Sequence, residues 1–279
     1  MIEVKDLRKS YRHKEVLAGV SFSLAPGVTG MLGPNGAGKT TTLRCMLGIV
    51  KPSAGVVSFS GEIDGLEPRV GYLPQKFGLL KELTVGEALE YFAVLKRIPK
   101  AEIRDEIDTS LEEVNLLDTR DHRVGTLSGG MMRRVGIAQA LLGSPPVLIF
   151  DEPTAGLDPE ERVRFKRLAA NLGRTRAVLI STHIVEDIEA IGSHLIVLHG
   201  GRVIAAGTLQ NIADAAMGRC FHVPEHLVDE RSRVHYVVRH VGSDVPPLVR
   251  VLSASPEINW TSVPPSLEDG YLCLTQGVL

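Results

Sequence analysis

At 279 residues, with 44% hydrophobic and 23% charged residues, the chain has the size and composition of a globular protein with one sizeable core and room for an appendage. A formal net charge of −2 argues against nucleic-acid binding through a broad basic surface. Three scattered cysteines, Cys45, Cys220 and Cys273, with no C-x-x-C pair, suggest neither a disulfide framework nor a zinc site and fit a reducing compartment.

Charge crowds the N-terminus (Glu3, Lys5, Asp6, Arg8, Lys9), unlike the apolar h-region of a signal peptide. The alternating runs Ile2-Glu3-Val4 and Val20 to Leu24 predict short strands, broken at Pro26-Gly27. Val28 to Leu32 predicts another strand and Thr40 to Leu47 a helix. Lys51-Pro52-Ser53-Ala54-Gly55 is a turn before a strand at Val56 to Phe59. Thr84 and Glu87 form a T-x-x-E capping box for a helix reaching about Lys96. Ile103, Ile107, Leu111 and Val114 then share one stripe of a second helix, so residues 83–125 read as helical. Val147 to Phe150 and Ala177 to Ile180 are wholly apolar, as expected of strands buried on both faces of a parallel sheet. Asp158, Pro159 and Glu161 read as N-cap, N1 and N3 of a helix with Phe165, Leu168, Ala169 and Leu172 on one face. Gly200-Gly201 turns a hairpin. Past Gly207 the texture shifts to Pro, His and Arg, with a strand-like Val234 to Val241. Ser266 and Asp269 cap a last helix carrying Leu267, Tyr271 and Leu274 on one stripe. No apolar run approaches the ~20 residues of a membrane helix, so a membrane role would come through a partner. There is no internal repeat and no low-complexity tract.

Three segments carry chemistry. Gly33-Pro34-Asn35-Gly36-Ala37-Gly38-Lys39-Thr40 reads G-x-x-x-x-G-K-[ST], the phosphate-binding P-loop. Its glycines let the backbone approach a ligand closely and turn successive N–H groups inward as an anion-binding concavity. The following helix N-terminus faces the same anion. Lys39 is expected to reach the β- and γ-phosphates of a triphosphate, and the Thr40 hydroxyl to ligate Mg²⁺. Second, the apolar run Val147 to Phe150 ends in Asp151-Glu152, where α/β sheets bind ligands. Asp151 is expected to hold the Mg²⁺ water shell and Glu152 to deprotonate or polarise the attacking water. These two segments leave kinase, GTPase, recombinase and transporter ATPase open. Third, Leu127-Ser128-Gly129-Gly130-Met131 precedes a predicted helix, Met132 to Leu142, and offers a hydroxyl, amides and a positive helix end to phosphate. A second phosphate-binding device beside a single P-loop is explained most simply if it serves another subunit's nucleotide.

With these motifs in this order, residues 1 to about 207 closely resemble the nucleotide-binding subunit of an ABC transporter. That resemblance implies two such domains stacked head to tail around two ATP molecules. Gln75, in Tyr72-Leu73-Pro74-Gln75, matches the Q-loop, Gly156-Leu157-Asp158 the D-loop, and His183, in Ser181-Thr182-His183, the switch histidine. Tyr11 falls where the family places the aromatic that stacks on adenine. The roles implied are catalytic for Glu152, His183 and Gln75, and Mg²⁺-binding for Thr40, Gln75 and Asp151. ATP would be held by Tyr11, by Gly33, Pro34, Asn35, Gly36, Ala37, Gly38, Lys39, Thr40 and Thr41, and from the opposite subunit by Ser128, Gly129, Gly130 and Asp158. Met131 stands where the commonest signature has Gln, which removes a side-chain amide from that position. A Met-containing signature followed by Arg133-Arg134 looks like a bacterial drug-exporter subgroup, and Pro265 to Thr275 resembles that subgroup's ending.

The fold so implied is α/β: a P-loop NTPase domain of ABC type, with a mixed-sheet core, an antiparallel β part and a helical subdomain, followed by a small C-terminal α+β extension. The expected organisation is an ATPase domain at 1–207 with its helical subdomain inserted at about 76–125, a linker at 208–220 and an accessory extension at 221–279. The expected function is ATP hydrolysis that drives dimer closure and release, energising an exporter from the cytoplasmic face of the cell membrane. The expected partners are a second copy of the chain and integral membrane permease subunits, with no nucleic acid. A soluble ABC-type ATPase of translation or DNA repair is disfavoured by the single P-loop and the lack of a long heptad tract. A guanine-reading N-K-x-D is also missing, which disfavours a GTPase.

Overall fold

The computed structural model describes residues 2–59, 70–228, 236–241, 248–256 and 260–277, with side chains of 236–241 left aside. In chain order the elements are β1 (Ile2–Tyr11), β2 (Lys14–Leu24), β3 (Gly27–Leu32), α1 (Lys39–Met46), β4 (Ala54–Phe59), β5 (Val70–Leu73), α2 (Val85–Leu95), α3 (Ile103–Glu113), α4 (Gly129–Leu141), β6 (Val147–Asp151), α5 (Pro159–Leu172), β7 (Ala177–Thr182) and α6 (Val185–Glu189). There follow β8 (His194–His199), β9 (Arg202–Thr208), α7 (Leu209–Ala213), β10 (Cys220–Pro224), β11 (Tyr236–Val241), β12 (Leu248–Leu252), β13 (Thr261–Ser262) and α8 (Leu267–Gln276).

The central sheet has the order β5-β6-β7-β3-β8-β9, parallel except for β9, which returns antiparallel through the Gly200-Gly201 hairpin. Every residue of β6 and β7 is buried, the reason both read as unbroken apolar runs rather than alternating ones. Successive side chains take opposite faces. Leu148 and Phe150 join one hydrophobic cluster with α2, α3, α4 and α5, whereas Val147 and Ile149 join another with β1, β2 and α1. The second cluster lies under a three-stranded antiparallel sheet, β2-β1-β4. β1 and β2 run well past the short alternating segments visible in the sequence, and register shifts along their pairing break the period-two pattern there. The predicted cap at Thr84 and Glu87 forms in both directions, and α2 and α3 with two 3₁₀ turns make up a helical insert.

Residues 208–220, read above as a linker, fold instead as α7 and a short 3₁₀ turn with Ile212, Ala213 and Ala216 buried. Thr208 caps α7 through the Asn211 amide N–H, a device that a search for Glu or Gln at N3 overlooks. α8 lies against α7: a Cβ on Gly270 would overlap the Ile212 carbonyl. The stripe Leu267, Tyr271 and Leu274 packs on the main cluster of the first 200 residues. β10, β12, β11 and β13 form a separate antiparallel sheet in the order β11-β12-β10-β13, and Val234 and His235 of the expected strand lie outside the described residues. All three cysteines are buried and unpaired.

One ion pair ties that sheet to α8. Arg250 on β12 donates from Nε to both carboxylate oxygens of Asp269 (3.1 and 3.0 Å) and from Nη2 to Asp269 Oδ2 and the Pro264 carbonyl. Asp269 also accepts from the Ser266 N–H (2.6 Å) and hydroxyl (2.7 Å). Burial alone would push its carboxyl up, but these hydrogen bonds and the guanidinium outweigh it and hold the group below the usual carboxylate range. A lowered folded-state pKa means the stabilisation is present above the unfolded Asp value of about 3.9 and is lost as pH falls through the folded value. Asp269→Ala strands Arg250 in an interior where only 8% of its side chain is exposed, and should cost about 3–5 kcal/mol at pH 7. Urea unfolding of both proteins at pH 7 and pH 3.5 checks this; the difference should shrink at the lower pH, and an equal loss at both would contradict the ionic origin.

Candidate nucleotide site

The parallel strands bring their carboxyl ends to one edge in the order β5, β6, β7, β3, and each ends in a chemically committed segment. β5 runs into Pro74-Gln75, β6 into Asp151-Glu152, β7 into Ser181-Thr182-His183, and β3 into the P-loop. Registry fixes their depth: Leu73 pairs with Phe150, Asp151 with Ser181, and Leu32 with Thr182. This is the edge at which open α/β sheets take ligands.

A cavity of about 250 Å³ opens there, lined by Val16, Pro34, Asn35, Gly36, Gly38, Lys39, Thr40, Thr41, Gln75 and Glu152. Gly38 is the N-cap of α1 at φ 106°, a conformation that only glycine adopts without strain. The sequence reading missed Val16, since one β-branched residue in a long strand carries no signal. Gly33 and Ala37 shape the loop without lining the cavity: Ala37 donates its N–H to Pro34 O (3.1 Å), and Gly33 O accepts from Lys39 Nζ (2.6 Å).

Lys39 and Glu152 are both buried and face each other, with Nζ 3.3 Å from Oε1. The second oxygen of Glu152 lies 2.9 Å from His183 Nδ1; with the carboxylate ionised, that ring nitrogen carries the proton. Glu152 sits at φ +47°, a left-handed conformation that costs a non-glycine residue energy and is held here by its surroundings. Its N–H donates to both the carbonyl (3.1 Å) and hydroxyl (3.0 Å) of Ser181. Ser181 in turn donates to Asp151 Oδ1 (2.5 Å), a second role the sequence did not reveal.

Thr40 Oγ1 lies 3.3 Å from Asp151 Oδ1, while Asp151 Oδ2 is buried without a hydrogen-bond partner. No group of three or more His, Cys, Asp or Glu gathers among the described residues. One carboxylate and one hydroxyl, completed by water and phosphate oxygens, suit Mg²⁺ better than a cation that needs a protein cage.

The remaining expected residues lie elsewhere. Ser128 caps α4, accepting from Met131 N–H (3.2 Å). The helix therefore starts at Gly129 rather than at Met132, because the cap offsets the poor helix propensity of two glycines. Ser128 and Gly129 are exposed, with N–H groups of a first helical turn that have no intrahelical acceptor. Asp158 caps α5 through Glu161 N–H (2.8 Å), and Tyr11 ends β1 half-exposed with Lys9 Nζ 5.0 Å from its ring centre. None of Ser128, Gly129, Gly130, Asp158 and Tyr11 lines the 250 Å³ cavity.

Arg133, on the second turn of α4, reaches back to the sheet edge that carries Gln75 and Glu152. Nε donates to Pro153 O (3.0 Å), Nη1 to Pro74 O (3.0 Å) and Gln75 O (3.1 Å), and Nη2 to Asp151 O (3.1 Å) and Glu152 O (2.8 Å). Burial lowers its pKa to about 10, still charged at neutral pH.

Residues 17–155 match the ABC transporter family. The chain is 37% identical over 294 residues to a "Nod factor export ATP-binding protein I" of Paraburkholderia xenovorans (strain LB400), covering 98% of this chain and 96% of that protein. It is 38% identical over 295 residues to the protein of that name from Rhizobium meliloti, covering 98% and 88%. Among solved structures, an ATP-binding subunit of an ABC transporter superposes with a TM-score of 0.67 at 33% identity, covering 76% of this chain and 91% of that one. A dimeric ATP-binding cassette in a post-hydrolysis state, bound to ADP and Pi, superposes at 0.65 with 26% identity, covering 75% and 98%.

Proposed function

This chain belongs to the ABC transporter family of ATP-binding subunits, and from that membership we propose that it energises a membrane exporter by hydrolysing ATP in two sites, each shared between two copies of the chain. The observation carrying this reading is the separation of its two phosphate-binding devices. The P-loop has its own cavity, while Ser128-Gly129-Gly130 stands outside it with Ser128 and Gly129 exposed. Export follows from the relatives' names. No helix among the described residues is long and apolar enough to cross a membrane, so the transported molecule would move through separate membrane subunits, with this chain docked on their cytoplasmic face.

In each site the amides of Asn35, Gly36 and Gly38 to Thr41 cradle the phosphates, Lys39 exchanges Glu152 for phosphate oxygens, and Tyr11 stacks on the base. Thr40, Gln75 and Asp151 would hold Mg²⁺, which when bound would neutralise negative charge on the phosphates. Glu152, freed from Lys39, accepts the proton of the attacking water, and His183 fixes the carboxylate and senses the γ-phosphate. Ser128 and the Gly129 and Gly130 amides of the opposite copy close the site, with Asp158 at the junction.

Complementation tests the sharing directly. Lys39→Ala and Ser128→Arg each disable both sites of a homodimer. A mixed dimer pairs the intact P-loop of one chain with the intact signature of the other. An equimolar mixture should therefore recover up to about a quarter of wild-type turnover, half the dimers being mixed and each having one good site. Two inactive proteins that stay inactive when mixed, although each still folds, would mean that the sites are not shared.

A further inference from the structure

Among the polar side chains of α4, Arg133 has an unusual set of partners. Its guanidinium carries five N–H donors. All five are used, and all five acceptors are main-chain carbonyls: Pro74 and Gln75 after β5, Asp151 at the end of β6, and Glu152 and Pro153 after it. Its neighbour Arg134 engages different groups, the Val114 and Asn115 carbonyls and Glu161.

We propose that Arg133 is a positioning residue for ATP hydrolysis: it clamps the peptide of Gln75 to the peptide of Glu152 and registers both to the helix that Ser128 caps. The inference rests on the site assigned above. Pro74, Gln75, Glu152 and Pro153 lie beyond the ends of β5 and β6. Glu152 in addition occupies a left-handed conformation that its surroundings must enforce. A planar fork with a fixed donor geometry can hold two loops at once, which a lysine with three rotatable donors or a glutamine with two cannot. Because Arg133 lies one helical turn from Ser128 and Gly129, any shift of that turn is passed to Glu152 and Gln75 of the same chain. A signature segment engaged on one nucleotide is thereby connected to the chemistry of the other.

The test uses the full chain in its transporter complex, following ATP turnover against ATP concentration. Arg133→Ala leaves the P-loop untouched, so KM for ATP should stay within about twofold. kcat should fall about hundredfold, the cost of displacing reacting groups by an ångström or so. Arg133→Lys should recover part of kcat. Arg133 also lines a cavity of about 520 Å³, so guanidinium ion added at about 20 mM, well below denaturing concentration, should restore Arg133→Ala at least severalfold by refilling the fork. If the alanine variant folds poorly, Arg133→Ser, which also leaves the space of the fork open, replaces it in every arm. Wild-type kcat in the substituted chain, a KM rising in step with the kcat loss, or no rescue by guanidinium would each overturn the proposal. Lys39→Ala separates the two levels: if it keeps turnover, the ATP-site reading itself fails. If it is dead while Arg133→Ala is normal, only the positioning role fails.

Discussion

Glu152→Gln should abolish steady-state ATP turnover, by about three orders of magnitude, while ATP still binds. The substitution keeps the length and volume of the side chain and removes the ability to accept a proton. Glu152 Oε1 faces Lys39 at 3.3 Å and Oε2 faces His183 at 2.9 Å, both contacts that an amide reproduces at least in part. The backbone contacts to Ser181 and Arg133 do not involve the side chain and persist. The fold should thus be unchanged and the lesion chemical. With hydrolysis blocked, ATP-driven closure has no release step, and a nucleotide-bound dimer should accumulate. Size-exclusion chromatography with ATP and Mg²⁺, alongside phosphate release, reads both halves. Wild-type hydrolysis in this variant would remove Glu152 from the role of base, and loss of turnover with no ATP-dependent dimer would leave the chemistry standing but not the sharing of sites.

Lys39→Ala should act one step earlier. A charge-assisted contact to phosphate is worth up to about 3 kcal/mol, so ATP affinity should drop about a hundredfold and turnover should vanish with it. A second cost appears before nucleotide arrives. Lys39 and Glu152 have only 7% of their side chains exposed, and removing the cation leaves a buried carboxylate whose remaining partner is His183. The variant should therefore melt below wild type even without ATP, and added ATP should raise its melting temperature less than it raises that of the parent. Fluorescent nucleotide binding with thermal unfolding distinguishes the two effects. An unaltered affinity would sink the P-loop assignment.

What the sequence made legible was whatever depends on residue type at fixed spacing. The glycines and Lys39 of the P-loop declare a phosphate cradle because few other backbones need that pattern. Val147 to Phe150 declares a doubly covered strand because four consecutive apolar residues leave neither face of a strand polar. The acids at its end then fall at the sheet edge by registry. Arg133 was visible only as a mark of resemblance. Its partners are carbonyls, which no residue letter encodes, and they come from two loops far away in the chain. Ser181 went unassigned because its hydroxyl meets Asp151 and the Glu152 N–H only through the pairing of two strands thirty residues apart. The segment at 208–220 looked like a linker because a five-residue helix shows little more than one turn of periodicity, and its capping box, opened by Thr208, has asparagine at N3. Its burial against α8 is a tertiary fact.

Strand β3 has its own consequence. It carries the P-loop, yet its two neighbours are β7 and β8: Val28 pairs with Val178 and Thr29 with His194, separations of 178 − 28 = 150 and 194 − 29 = 165 residues. Closing loops of that length is paid for in chain entropy before any hydrogen bond repays it. The motif is written near the beginning of the message, but its scaffold is delivered only after residue 194. A nascent chain shorter than that holds the phosphate-binding letters without the frame that gives them a shape, and so has no formed pocket on which ATP could nucleate folding.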